Sequence, residues 1–188
     1  MNIEKDTKIN RDEELFFNNR ILFMESDFDD CEINKLKKDL ILLDSSASDP
    51  IIIVINSRGG DADNLLCLYS IIQNLSCPLI TIGTGYCYSA GALLLLMGDE
   101  RYALPETRIM FHEMSAKAEG RIQDLNITIN EYNENQKFMY KLIKKKTKIK
   151  NIEEWLKTEK YLSVSDAIKL GILTKKCNGL PNVKIKEE

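Results

Sequence analysis

Ser89 stands where small neighbours leave a hydroxyl accessible, with Ala90, Gly91 and Ala92 directly after it. A serine is a poor nucleophile at neutral pH. It needs a base within hydrogen-bond reach, a group that orients the base, and donors for a developing oxyanion. His112 is the only imidazole in the chain, so any serine–histidine chemistry must run through it. The glycine pair Gly59 and Gly60 follows an apolar run and can bring a backbone amide close to a substrate oxygen. Each residue also has an ordinary explanation: a helix-capping serine, a core histidine, a turn of paired glycines. For the orienting acid the pattern leaves several candidates open, Asp99 and Glu113 among them. Cys87 is a second candidate nucleophile, ranked below Ser89 because a side chain near a strand end is often buried.

The elements that must carry these residues follow from periodicity. Residues 21–24 read as a short strand, and Ile33, Leu36, Leu40 and Leu43 share one face of a helix over residues 32–43. Residues 51–55 form a β-branched run expected to be a strand buried on both faces. A helix over residues 65–75, a break at Cys77 and Pro78, and a strand over residues 79–83 make a second cycle. The loop 84–88 then delivers Ser89 into an apolar helix, residues 90–97. Short strands at 101–103 and 108–111 place His112 at a strand end. Residues 119–148 contain no proline and read as a long polar helix whose Ile122, Leu125, Ile129, Phe138 and Leu142 need a partner. Short helices follow at 152–157 and 163–170, the second opened by Ser163 with Asp166 three residues on and closed by Gly171. Strand–helix repetition of this kind specifies an α/β architecture with functional groups at the carboxyl ends of strands.

Composition narrows the class. The 188 residues are 44% hydrophobic and 29% charged with a net charge of −3, as expected for one globular domain without a basic face for nucleic acid. The charged first residues lack an apolar secretory core, and the apolar run 92–97 is far below the ~20 residues that span a bilayer. A cytoplasmic protein is therefore expected, with no membrane partner. The five scattered cysteines fit buried thiols in a reducing compartment and, with one histidine, give no expectation of a metal or other cofactor.

Four segments together resemble the proteolytic subunit of the Clp protease, ClpP. The strand leading into Asn56, Ser57, Arg58, Gly59 and Gly60 resembles the family's N-S-P-G-G, with Arg58 in place of proline. Residues 85–94 resemble its nucleophile segment, G-x-x-x-S-x-G-A-x-L-L. Residues 104–112 resemble L-P-x-[ST]-R-x-M-x-H, followed here by Glu113 and Met114 rather than Gln-Pro. Residues 161–172 resemble F-L-S-x-x-[ED]-A-x-x-x-G-[LI]. The likeness covers residues 20–174 and implies a ClpP/crotonase-type repeated ββα spiral with a projecting handle helix, about residues 119–148. It implies a peptidase domain at 20–176 between a flexible arm, residues 1–19, and a tail, residues 177–188. By the same resemblance Ser89 is the nucleophile, His112 the base, and the amides of Gly60 and Ala90 the oxyanion hole. Glu159 falls where the family has its catalytic aspartate. The expected function is a serine endopeptidase cutting unfolded polypeptides inside homo-oligomeric, heptameric and double rings fed by an ATP-dependent unfoldase. Two alternatives stay open: a catalytically inactive structural ring subunit, and a crotonase-type acyl-CoA enzyme.

Overall fold

The protein is described by a computed structural model, which covers residues 13–175 and 177. A short helix α1 occupies residues 13–18. Six strands follow, β1 (Ile21–Met24), β2 (Ile51–Ser57), β3 (Leu79–Tyr88), β4 (Glu100–Ala103), β5 (Arg108–Phe111) and β6 (Lys160–Leu162). The helices between and after them are α2 (Asp30–Ser46), α3 (Ala62–Ile72), α4 (Ala90–Met97), α5 (Ile122–Lys146), α6 (Ile152–Leu156) and α7 (Val164–Lys169). The α/β architecture expected from the strand–helix alternation is present.

The sheet runs β1-β2-β3-β5-β6, with β4 also paired to β3. All pairings are parallel except β5 with β6. β3 is the pivot: its first half pairs with β4 and its second half, Tyr86 to Tyr88, with β5. The expected strand stops at residue 83, with residues 84–88 a loop, whereas β3 continues to Tyr88. Gly85, at φ 74°, does break the regular register, but the chain recovers at once. Asn56 Oδ1 accepts the Tyr86 N–H at 3.0 Å across the irregularity between Ile55 and Ser57, so the ladder is bridged by a side chain instead of being abandoned. The second half of β3 then presents Ser89 one residue beyond its paired end.

Burial along β2 alternates, with Ile51, Ile53 and Ile55 sealed and the residues between them half-covered. The expectation of a strand buried on both faces is corrected here: within this single chain only one face is fully covered by helices. Helix α4 accounts for much of that cover. All eight of its residues are buried, which is why it shows no polar face. β6 was not anticipated, because three residues, Lys160, Tyr161 and Leu162, are too few to show a period.

At the N-terminal end, the arm expected over residues 1–19 gives way to α1. Phe17 packs against the core and Phe16 meets Phe23 edge-on with ring centroids 5.0 Å apart. Residues 1–12, and all of the expected tail at 177–188 but Cys177, lie outside the described residues. Cys77, Cys87 and Cys177 are buried, whereas Cys31 and Cys67 are exposed, so the expectation of uniformly buried thiols holds for three of five. Among the described residues no helix is long and apolar enough to cross a membrane.

One buried cation ties the end of the fold to its middle. Arg101, on β4, donates to the carbonyls of Ile172 (2.7 Å), Gly98 (3.1 Å), Gly171 (3.1 Å) and Lys146 (3.2 Å). These acceptors end α4, α5 and α7, so one guanidinium satisfies carbonyls that helix termini leave unpaired. Arg101→Ala should lower unfolding free energy by about 3 kcal/mol or more, since it orphans several buried acceptors at once. Urea unfolding followed by far-ultraviolet dichroism measures this, and a loss below about 1 kcal/mol contradicts it.

Candidate active site

The loop after β2 is built by Ser57. Its buried hydroxyl donates to the Ser26 carbonyl at 2.5 Å and accepts the Gly59 N–H at 3.1 Å. Phe28 pins the loop from the other side, donating its N–H to Gly59 O at 2.9 Å and bridging to Gly60. Gly59 (φ 99°) is required twice over. A Cβ there would lie 2.7 Å from Ser89 Cβ and 2.9 Å from Ala90 N. Arg58 turns outward and stacks its guanidinium 4.6 Å above the Tyr86 ring.

Ser89 itself has φ 53° and ψ −121°, a conformation that L-residues seldom adopt and that costs about 1–3 kcal/mol. Its N–H is held by Met110 O at 2.9 Å, and its carbonyl starts α4 by accepting from Ala92 and Leu93. It makes no side-chain cap bond. An ordinary capping serine has extended dihedrals and an oxygen turned back to the helix amides. Here the hydroxyl points away from the helix and lies 2.8 Å from His112 Nε2. For Nε2 to accept the serine proton, the imidazole must carry its own proton on Nδ1.

His112 follows β5 directly. Tyr88 and Met110 are register partners, so the ends of β3 and β5 bring Ser89 and His112 together. The segment beyond the histidine is tied to α5: Met114 donates its N–H to Gln136 Oε1 at 2.7 Å, and Tyr140 Oη donates to Glu113 at 2.8 Å. Burial, and then this bond to a carboxylate, pushes the Tyr140 phenol up to about 12. Glu113 and Met114, which depart from the resembled pattern, are thus the two residues bound to the long helix. A proline at position 114 would lack the N–H that Gln136 accepts.

The two amides assigned to an oxyanion hole flank the hydroxyl. Gly60, at φ 145°, and Ala90, the first residue of α4, line one cleft of about 320 Å³ together with Ser89 and His112. Neither N–H donates to another described residue. The apolar wall of this cleft is Leu65, Leu93, Phe138 and Met139, the last two supplied by the long helix. The sequence reading did not single out these α5 positions as site residues. Their spacing with the buried Asn135 was the available signal, since residues three and four apart share a helix face.

The candidate acids fare differently. Asp99 accepts the Leu79 N–H at 3.0 Å, at the far end of β3 from Ser89. Glu113 is held by Tyr140. Glu159 is exposed, and its Oε2 accepts from Tyr161 Oη at 3.1 Å. No described carboxylate is hydrogen-bonded to His112 Nδ1. β5 and β6 pair Met110 with Tyr161 and Phe111 with Lys160, so His112 and Glu159 are the residues directly beyond the paired ends of these two strands. Cys87 faces the other way. It is fully buried, its thiol is 3.6 Å from Ile55 O, and burial raises its pKa to about 12, so it offers no thiolate at neutral pH. Among the described residues there is no cluster of three His, Cys, Asp or Glu side chains able to hold a metal ion.

The family model described as Clp protease matches residues 4–177. The chain belongs to the Clp protease family. It is 38% identical over 127 residues to the ATP-dependent Clp protease proteolytic subunit of Bacteroides thetaiotaomicron, covering 66% of this chain and 58% of that protein. It is also 38% identical over 133 residues to the ATP-dependent Clp protease proteolytic subunit 2 of Corynebacterium efficiens, covering 68% of this chain and 66% of that one. The matched region thus spans less than two-thirds of either relative's own length.

Thiol titration tests the placement of the cysteines around this Clp-family site. Exposed Cys31 and Cys67 should react with an aromatic disulfide reagent in the native protein, while Cys77 and Cys87 should react only after unfolding. Fast native labelling of Cys87 would show that β3 is not seated as described.

Proposed function

We propose that the chain is a serine endopeptidase subunit that cuts unfolded polypeptides, with Ser89 as nucleophile and His112 as general base. The observation that carries this reading is the 2.8 Å contact between Ser89 Oγ and His112 Nε2, made by a serine whose backbone is strained and whose hydroxyl caps nothing. Ser89 Oγ attacks the peptide carbonyl while Nε2 takes its proton. The oxyanion accepts from the amides of Gly60 and Ala90, and the same proton then passes to the leaving amine. Water repeats the sequence on the acyl-enzyme. The apolar wall from Leu65 to Met139 suits an apolar side chain of the substrate, and Glu159 is the acid proposed to orient His112.

The assembly is part of the same proposal. Helix α5 is about 37 Å long by its 25 residues, yet its buried residues all lie in its second half. Phe138 and Leu142 pack within the chain, whereas Ile122, Ile127 and Ile129 are at least half exposed. Branched apolar side chains on a helix that leaves its own core need a second surface. Contact between copies, in heptameric and double rings, would cover them. The relatives carry the description ATP-dependent, and an ATP-driven unfoldase that delivers substrate to a cytoplasmic chamber is proposed for this chain on that ground.

A second reading has an observation in its favour. Because no carboxylate among the described residues is bonded to His112 Nδ1, the alternative is a structural ring member without turnover. Reaction with a fluorophosphonate separates the two. The wild-type assembly should label at Ser89, and Ser89→Ala or His112→Ala should cut labelling and peptide hydrolysis by at least about a thousandfold. No labelling of wild type, or equal labelling of Ser89→Ala, sinks the peptidase reading. For the assembly, native mass measurement of Ile127→Lys together with Ile129→Lys should show loss of the highest-order species. An unchanged mass would mean that α5 is not the contact.

A further inference from the structure

The carboxylate proposed as third member of the site is an exposed glutamate directly before β6. A glutamate has one more torsion than the aspartate of the resembled segment. An exposed side chain with that freedom spends much of its time away from any one partner. In this chain the neighbouring position on the same strand face is Tyr161, whose hydroxyl donates to Glu159 Oε2 at 3.1 Å. The hydrogen bond to the Glu159 carboxylate raises the Tyr161 phenol above its usual range. The ring is itself located. It meets Tyr88 edge-on with centroids 5.7 Å apart, and Tyr88 lies 5.2 Å from Tyr86, so the donor packs on the strand that leads into Ser89.

We infer that Tyr161 is a positioning residue, whose hydroxyl holds one oxygen of Glu159 so that the other is presented to His112 Nδ1. Two observations and one general spacing support this. Tyr161 is the register partner of Met110, and Glu159 and His112 are the residues directly beyond the paired ends of the two strands. The contact uses Oε2 only, and no described residue bonds to Oε1. Directly opposed residues on one face of an antiparallel pair lie about 5 Å apart at Cβ, within reach of a glutamate. Where the resembled segment has phenylalanine, the extra hydroxyl stands beside the extra methylene of the acid. The longer carboxylate has gained a restraint that a shorter one needs less.

This inference rests on the peptidase reading above, and the test keeps the two apart. Tyr161→Phe removes one oxygen from a half-exposed ring and leaves the packing on Tyr88, so folding is not at stake, and melting temperature and native mass check that. Steady-state hydrolysis of a fluorogenic peptide by the assembled enzyme should then show kcat reduced about fivefold with KM unchanged, because only the orientation of the base is degraded. In a Glu159→Gln background the same substitution should change kcat by less than about twofold, since the hydroxyl acts only through the carboxylate. Unchanged or raised kcat in Tyr161→Phe overturns the inference; a raised value would mean that the hydroxyl competes with His112 for the acid. An equal loss with and without Glu159 also overturns it, because the effect would then be structural. Absence of turnover in the wild type fails the peptidase reading itself, and the positioning role with it.

Discussion

The bond from Ser89 N–H to Met110 O is the constraint on which the site depends. A backbone with φ 53° is uphill for serine and persists only where the surroundings determine it from several sides. β5 does so from one side through Met110. Gly59 does so from another, because any side chain there would occupy the space of the Ser89 turn. Helix α4, buried along its whole length, fixes the exit direction. Release of any one of these would let Ser89 relax into an extended cap, with its hydroxyl on the helix amides and away from the histidine. The strain and the 2.8 Å contact with His112 are therefore one feature, maintained by the sheet.

That arrangement explains why β3 is split between two partners. A strand paired along its length with β4 would end beside residue 103 and have no histidine at hand. By leaving β4 after Gly83 and joining β5 at Tyr86, the chain places the ends of two parallel strands side by side. Functional groups of parallel sheets cluster where strand order branches in this way. Asn56, with its side chain accepting the Tyr86 amide, supplies the hydrogen bond that the branch would otherwise forfeit. The long helix completes the cleft from outside the sheet, through Phe138 and Met139, and Gln136 and Tyr140 connect it to the segment leaving His112.

Much of this was legible in the sequence because the signals were local. The 90–97 helix, the 108–111 strand with His112 at its end, and the Ser163 cap were each set by a few consecutive residues. Ser163 does accept the Asp166 N–H as its spacing suggested. The continuation of β3 past Gly85 was not legible, since a glycine with positive φ inside a strand looks like a strand end unless the Asn56 side chain is known to bridge it. The half-covered face of β2 was hidden for a different reason. A β-branched run reports that its residues are apolar, not whether their second face is closed within the chain or by another molecule. α1 was masked by the charge around it, although Phe16 and Phe17 were the available clue.

The orienting acid shows most plainly where a sequence runs out. The pattern left Asp99 and Glu113 open, and Glu159 came only from the family resemblance. Glu113 adjoins His112 on the chain, and for that reason its side chain leaves the backbone towards the other face. It finds Tyr140 there instead. The residue next in line with His112 once the β5–β6 pairing ends lies forty-seven positions later, at 159, and arrives by way of β6, a strand of three residues that no periodicity announces. Antiparallel pairing carries this information because its register is fixed by Ile109 with Leu162 and Met110 with Tyr161. A slip of one residue would exchange Glu159 for Lys160 and put a cation beside the base. Which residue follows the paired ends towards His112 is thus decided by the pairing of Leu162 with Ile109 and of Tyr161 with Met110.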